Sequence, residues 1–312
     1  MPFAIQKILI AVADPSVKTN KAVKRGLEIA EKTGASVELF SSVSLTGSYG
    51  DISRAESREF ARTLMASRQL ELEAMCARLR RLMPRISCSV QLDYPAHEAI
   101  VRQALKSRAD IVLIEAHKHN LFARLLLSQT DFALIRECPV PLLIVKGARP
   151  HRGGAVLAAL DPWHAAGKPA SLDRRIIEAA RGLVDSLGGK LHSAHVYAPL
   201  MSFITGSIGG PAVPPLPLPE ERRYADRTRR RFIEVSATYG IAPKNAHLRA
   251  GDPAYELPRL ARSLKAHTLV MGAVSRSALK RLFIGNTSER VLDALSCDVL
   301  VAKPPGFRSS IR

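Results

Sequence analysis

Apolar positions along this chain fall into two periods, one of strands and one of helices, and the whole series occurs twice. "KILIAVADP" (Lys7 to Pro15) is a short aliphatic run ending in Asp-Pro, and "GAVLAALDP" (Gly154 to Pro162) has the same form. Runs this short and this continuously apolar predict fully buried strands, because a half-exposed strand would alternate with polar residues. Each is followed by a segment of helical period, "NKAVKRGLEIAEKTGA" in one half and "SLDRRIIEAARGLVDSLGG" in the other. A glycine stops each helix, and a second strand follows, "SVELFSSV" or "KLHSAHVY".

The halves then diverge. "SLTGSYGDIS" leads into a helix expected from about Ala55 to Leu82, whereas the second half has "GSIGGPAVPPLPLP", within a Gly/Pro-rich loop of residues 205–219 that suits no regular element. That loop reads equally well as a lid or as an ordered surface excursion. They converge again in "VQLDYPAHEAIVRQALKSRADIVLIEA" and "LRAGDPAYELPRLARSLKAHTLVMGA", each a strand, a Pro-Ala turn, a helix and an apolar strand. "TDFALIRECPVPLLIVK" and "TSERVLDALSCDVLVAK" close the two halves, with Thr130 and Thr287, and Lys146 and Lys303, each 157 residues apart. An ungapped match over a helix and a strand marks a duplication. Strand alternating with helix predicts an α/β chain of two tandem Rossmann-like domains, 1–149 and 150–312. Each would be an open five-stranded parallel sheet with helices on both faces. Ligands of such sheets bind at the carboxyl ends of the strands, beside the first one. Asp14 and Asp161, and the loops after "IVLIEA" and "TLVMGA", are therefore expected at the mouths of two crevices.

Composition narrows the picture. A length of 312 residues suits two domains. No apolar run reaches the roughly 20 residues that span a bilayer, so no transmembrane segment is expected. "MPFAIQKILIAVADPS" is interrupted by Lys7 and Asp14 and reads as a first strand, not a secretory signal. Cys76, Cys88, Cys138 and Cys297 form no CxxC pair and fit reduced, packed thiols of a cytoplasmic protein, with Cys138 assigned to the strand that follows it. The formal net charge of +18 predicts attraction to phosphates, nucleic acid or an anionic membrane. The arginines of "RLRRLMPR" and "ERRYADRTRRRF" alternate with apolar and acidic positions as on the solvent face of a helix. Aromatic residues make up only 5%, too few for stacking platforms, and this speaks against a nucleic-acid partner.

The candidate chemistry lies in the two loops. "GAVSRSALKRLFIGNTS" (Gly272 to Ser288) has a glycine closing an apolar run and a second, Gly285, followed by Asn286, Thr287 and Ser288 at a helix start. Amides and hydroxyls there suit an anion, although Ser275 stands where a third glycine would strengthen the signal. The glycines read equally as permitting tight turns. The twin positions in the first half are Glu115, Lys118 and Ser128, so every glycine is absent and a carboxylate stands first. No nucleotide is expected there, and Asp14 reads as a turn residue. "EAHKHN" sets His117 and His119 two apart, with Asp131 at the start of the next helix, a donor set of the right type for zinc. His192 and His195, three apart on a strand, face opposite sides and read as packing or surface residues. No Gly-x-Ser-x-Gly, His-Glu-x-x-His or Walker-type motif occurs, so no catalytic activity is expected.

A strand ending in Asp, a fourth strand ending in Met-Gly, and the Gly-x-x-small, Gly-hydroxyl loop resemble the universal stress protein family. The doubling resembles its tandem-domain type over essentially the whole chain. The resemblance implies an adenine nucleotide alpha hydrolase-like fold and a non-enzymatic ligand-binding role in the cytoplasmic stress response. ATP or AMP would lie in the C-terminal domain. It would place Asp161 against base and ribose and Val196 and Met271 beside adenine. Gly272, Val274, Ser275, Gly285, Asn286, Thr287 and Ser288 would surround the phosphates. It implies an intramolecular pseudo-dimer through "LLIVK" and "VLVAK", and is compatible with further homodimerisation. The alternative is an interaction scaffold, or a carrier of an apolar or other small ligand, that has lost ATP binding and has zinc in its N-terminal domain.

Overall fold

The computed structural model describes residues 3–17, 19–44, 54–116, 127–147, 151, 153–163, 170–200, 218–273 and 286–311. The first half runs β1 (Lys7–Ala11), α1 (Lys21–Thr33), β2 (Ser36–Val43), α2 (Arg54–Arg80), β3 (Ile86–Leu92), α3 (Ala96–Ser107), β4 (Ile111–Glu115), α4 (Gln129–Glu137) and β5 (Leu142–Val145). The second runs β6 (Ala155–Ala159), α5 (Ala170–Leu187), β7 (Lys190–Tyr197), α6 (Leu218–Thr238), β8 (Ala246–Ala250), α7 (Pro253–Ser263), β9 (Thr268–Gly272), α8 (Asn286–Ala294) and β10 (Asp298–Ala302). All the strands join one sheet in the order β3-β2-β1-β4-β5-β10-β9-β6-β7-β8. Within each half the pairs are parallel, and the order reverses between the first and fourth strands, the switch point at which such sheets open a crevice.

Both faces of the sheet are covered. Ile8 and Ile10 enter a cluster with Leu72 of α2, Ile176 of α5 and Phe232 of α6, while Leu9 between them points into a second cluster with Ile100 of α3, Leu134 of α4, Leu260 of α7 and Leu292 of α8. This two-sided burial is why the strands read as continuous apolar runs. Helix ends follow local chemistry. The Asn20 side chain accepts the Val23 N–H to start α1, and Gly34, at φ +70°, ends it in the left-handed conformation.

Two boundaries differ from the sequence reading. The first strand of each half stops before its Asp-Pro: regular pairing ends at Ala11 and Ala159, with one further bond from Val12 N–H to Phe40 O (2.8 Å) and from Leu160 N–H to Ala194 O (2.9 Å). Pro15 and Pro162 lack the N–H that a longer ladder would use. Cys138 belongs not to the following strand but to the end of α4, where its N–H donates to Leu134 O (2.8 Å). Pro139 and Pro141 delay the strand until Leu142.

The halves meet along β5 and β10, which pair antiparallel with Leu143 opposite Leu300. The lysine that follows each of these strands crosses the seam. Lys146 Nζ donates to Leu292 O and to Leu295 O (3.1 Å) at the end of α8, and Lys303 Nζ donates to Arg136 O (2.7 Å) at the end of α4. Each ammonium thus satisfies the orphan carbonyls of the other half's last helix. A buried aspartate completes the seam. Asp298 accepts from Arg25 Nε (2.9 Å) and from the backbone N–H groups of Lys146 and Gly147 (both 2.9 Å), and His151 Nε2 lies 3.5 Å away. Burial pushes the Asp298 carboxyl up, but the His151 hydrogen bond, the Arg25 charge and the Gly147 amide outweigh it, so it titrates below the usual carboxylate value.

Candidate functional site

In the second half the carboxyl ends of β9, β6 and β7 lie side by side, and several of the described residues singled out from the sequence end or follow these strands. Met271 and Gly272 end β9, Val196 is near the end of β7, and Asp161 lies just beyond β6. Thr287 and Ser288 occupy the first turn of α8. Met271 is buried and Val196 packs against the same apolar cluster. Val274, Ser275 and Gly285 lie outside the described residues, and Asn286 is described only as the first residue of α8.

The turn that carries Asp161 is held from below by two residues that the sequence reading did not select. Asp173, fully buried in the first turn of α5, accepts the Asp161 N–H (3.1 Å to Oδ2), and His195 Nδ1 lies 3.0 Å from Leu160 O. The Asp161 carboxylate accepts the Trp163 N–H (3.3 Å), and the Trp163 ring lies against His195 with centroids 5.4 Å apart. An aspartate in the first turn of an amphipathic helix was the available signal for Asp173, but helix capping gives the same signal. His195 does face the opposite side of β7 from His192, which instead meets His247 on β8 at 2.9 Å.

Gly272 has a packing reason of its own. A Cβ added there would lie 2.5 Å from Cδ2 and 2.8 Å from Cγ of Leu172, so α5 passes directly over the end of β9. The glycine therefore allows a close approach between helix and strand whether or not an anion also uses the opening.

The first half presents a different crevice at its own switch point. A cavity of about 500 Å³ is lined by Val12, Phe40, Ile100, Ile114 and Leu134 together with Asp14, Glu115, Asp131 and Thr130. Asp14 behaves as a turn residue, accepting from the Ser16 N–H (2.9 Å) and hydroxyl (2.7 Å). Those two hydrogen bonds hold its carboxyl below the usual value. Glu115, the twin of Gly272, accepts the Lys21 N–H at the start of α1 (2.9 Å) and pairs with Lys21 Nζ (3.3 Å). Asp131 is buried in a capping box, accepting the Ser128 N–H (2.8 Å) while its own N–H donates to the Ser128 hydroxyl (3.1 Å).

The suggested zinc ligands His117 and His119 lie outside the described residues. Their proposed partner Asp131 already serves the start of α4, and metal ligation would compete with that cap. Among the described residues no group of three His, Cys, Asp or Glu side chains is placed to hold a metal ion. Nor is any described helix long and apolar enough to cross a membrane. The cysteines are free, Cys76 and Cys138 fully buried, and burial pushes the Cys138 thiol up to about 11.

Comparison with known proteins agrees with this fold. The model of the universal stress protein family matches residues 4–146 and again 156–303. Universal stress protein E of Photorhabdus laumondii subsp. laumondii is 26% identical over 311 residues, covering 97% of both chains. Universal stress protein E of Escherichia coli (strain K12) is 28% identical over 226 residues, 69% of this chain and 67% of the relative. Among solved structures, a putative universal stress protein from Pseudomonas aeruginosa UCBPP-PA14 superposes with a TM-score of 0.71 at 26% identity, over 97% of this chain and 94% of that one. A universal stress protein from Archaeoglobus fulgidus DSM 4304 shares the fold at a TM-score of 0.61 and 19% identity, over 97% of this chain and 98% of that one. With both halves matched and the doubled, doubly wound sheet in view, the chain belongs to the universal stress protein family as a tandem of two such domains.

Proposed function

We propose that this chain is a cytoplasmic, non-enzymatic stress-response protein whose C-terminal domain, residues 150–312, binds ATP or AMP, while its N-terminal domain, residues 1–149, does not. The observation that carries this is a contrast at one structural position. Where the second half has Gly272 at the end of β9, the first has the Glu115 carboxylate bonded to the start of α1. In the second half Asp161 follows β6, Val196 and Met271 pack in one apolar cluster near the ends of β7 and β9, and Thr287 and Ser288 are in the first turn of α8, which supports this reading. An adenine would lie among the apolar groups, with base and ribose donors toward Asp161. The phosphates would lie toward Gly272, Val274, Ser275, Gly285 and the amides of Asn286, Thr287 and Ser288.

Nucleotide released from the natively purified chain, and titration with ATP and AMP, test this reading. The double variant Asp161→Ala/Gly285→Ala is expected to weaken ATP at least about tenfold, equivalent to about 1.4 kcal/mol. Absence of binding at millimolar ATP overturns it. The packing of Leu172 over Gly272 favours a second reading, in which that glycine is kept for packing alone. The chain would then act as a scaffold or small-ligand carrier through the loop read at residues 205–219, of which 205–217 lie outside the described residues while Leu218 and Pro219 already open α6, and ligand binding would survive the double variant.

A further inference from the structure

We propose that the N-terminal crevice is a binding site for an organic cation: an amine or guanidinium group on a flat apolar body. The cavity there, about 500 Å³, falls within the roughly 300–1,000 Å³ range of small-molecule sites. Its floor is apolar and its polar lining contains three carboxylates. Among the described residues no lysine, arginine or histidine lines it, in a chain whose formal net charge is +18.

The chain supplies its own control for what this chemistry means. Positions 157 residues apart correspond between the halves, which pairs Ile114 with Met271, Glu115 with Gly272, Thr130 with Thr287 and Asp131 with Ser288. The apolar floor is therefore kept, while a glycine and a serine at the anion-facing end become two carboxylates. The amides that would draw a phosphate also have acceptors already. Lys21 N–H donates to Glu115, Val23 N–H to Asn20, and the Ser128 and Asp131 amides to each other's side chains. At these described positions the two crevices differ in charge, and the first favours a positive group where the second leaves room for a negative one. Lys21 and Arg68, which approach Glu115 and Asp14 at 3.3 and 3.9 Å, are not among the lining residues.

Calorimetric titration of the full chain with three probes of one shape tests the proposal: 2-phenylethylamine, neutral 2-phenylethanol and anionic 3-phenylpropanoate. The amine is expected to bind about tenfold or more tighter than the alcohol, and the propanoate not at all. Glu115→Gln, which still accepts the Lys21 N–H through its carbonyl, should reduce amine affinity several-fold. Ser42→Leu, which narrows the cavity without touching an acid, should do the same. Ser288→Ala in the other half should leave amine binding unchanged, and ATP should not compete. The proposal is overturned by equal binding of amine and alcohol, by no amine binding up to about 10 mM, by affinity unaltered in both Glu115→Gln and Ser42→Leu, or by competition from ATP. None of these outcomes depends on whether the C-terminal crevice binds nucleotide.

Discussion

Gly272 and Leu172 form a contact in which two explanations of one residue can be separated. If the glycine is present for packing, Gly272→Ala overpacks the site by one methyl against Cγ and Cδ2 of Leu172 and costs about 1–3 kcal/mol. The double variant with Leu172→Ala removes the clash while opening space of its own, so the two changes should be strongly non-additive in urea unfolding. Additive losses would mean that the approach of α5 to β9 is not what requires the glycine. ATP titration of the same variants reads the other role independently. Nothing near Gly272 in the sequence announces Leu172, which is 100 residues earlier. The glycine was legible as special, but the reason was not, because local pattern cannot report a contact made by tertiary packing.

At the scale of elements, the crossed lysines respond to pH in a predictable direction. Burial pushes the Lys303 ammonium down to about 8 from 10.5, against the pull of Cys138 and Glu137. Between these values the unfolded chain binds the proton more tightly than the folded one, so this group adds stability as pH rises from about 8 toward 10.5. Compared with Lys303→Met, the native chain should therefore gain stability over that interval, by an amount on the order of 2–3 kcal/mol. A constant difference between the two unfolding curves would show that the ammonium at the end of α4 is not desolvated. The strands around these lysines were the most legible part of the molecule. Their two buried faces leave short aliphatic signatures, "LLIVK" and "VLVAK", and the 157-residue repeat gives their place twice. The direction in which Lys146 and Lys303 reach was not legible, because each bonds to backbone carbonyls that carry no side-chain signature. The amphipathic helices were readable in the same way, with ends displaced where prolines delay a strand, as at Cys138 to Pro141.

At the scale of the molecule, duplication gives the two sides of the β5–β10 seam the same shape, but not the same charge. Arg25 and Asp298 are 3% and 1% exposed and hold each other across it. The repeat places Ala179 at the twin of Arg25, 154 residues on, and Pro141 at the twin of Asp298, 157 residues back. A half that paired with a copy of itself would therefore break this pair twice, leaving two buried arginines with Glu28 of their own half or two buried aspartates with His151 of theirs, at up to about 3–5 kcal/mol for each broken pair. Halves 1–149 and 150–312, produced together as separate chains, should assemble one to one in native mass spectrometry. Asp298→Ala should let the second half pair with itself. A statistical mixture from the unaltered halves would show that the ion pair does not discriminate. One arginine and one aspartate would then act as a mating code: two surfaces descended from one would not exchange places freely, and a severed chain would recover its own other half in preference to its likeness.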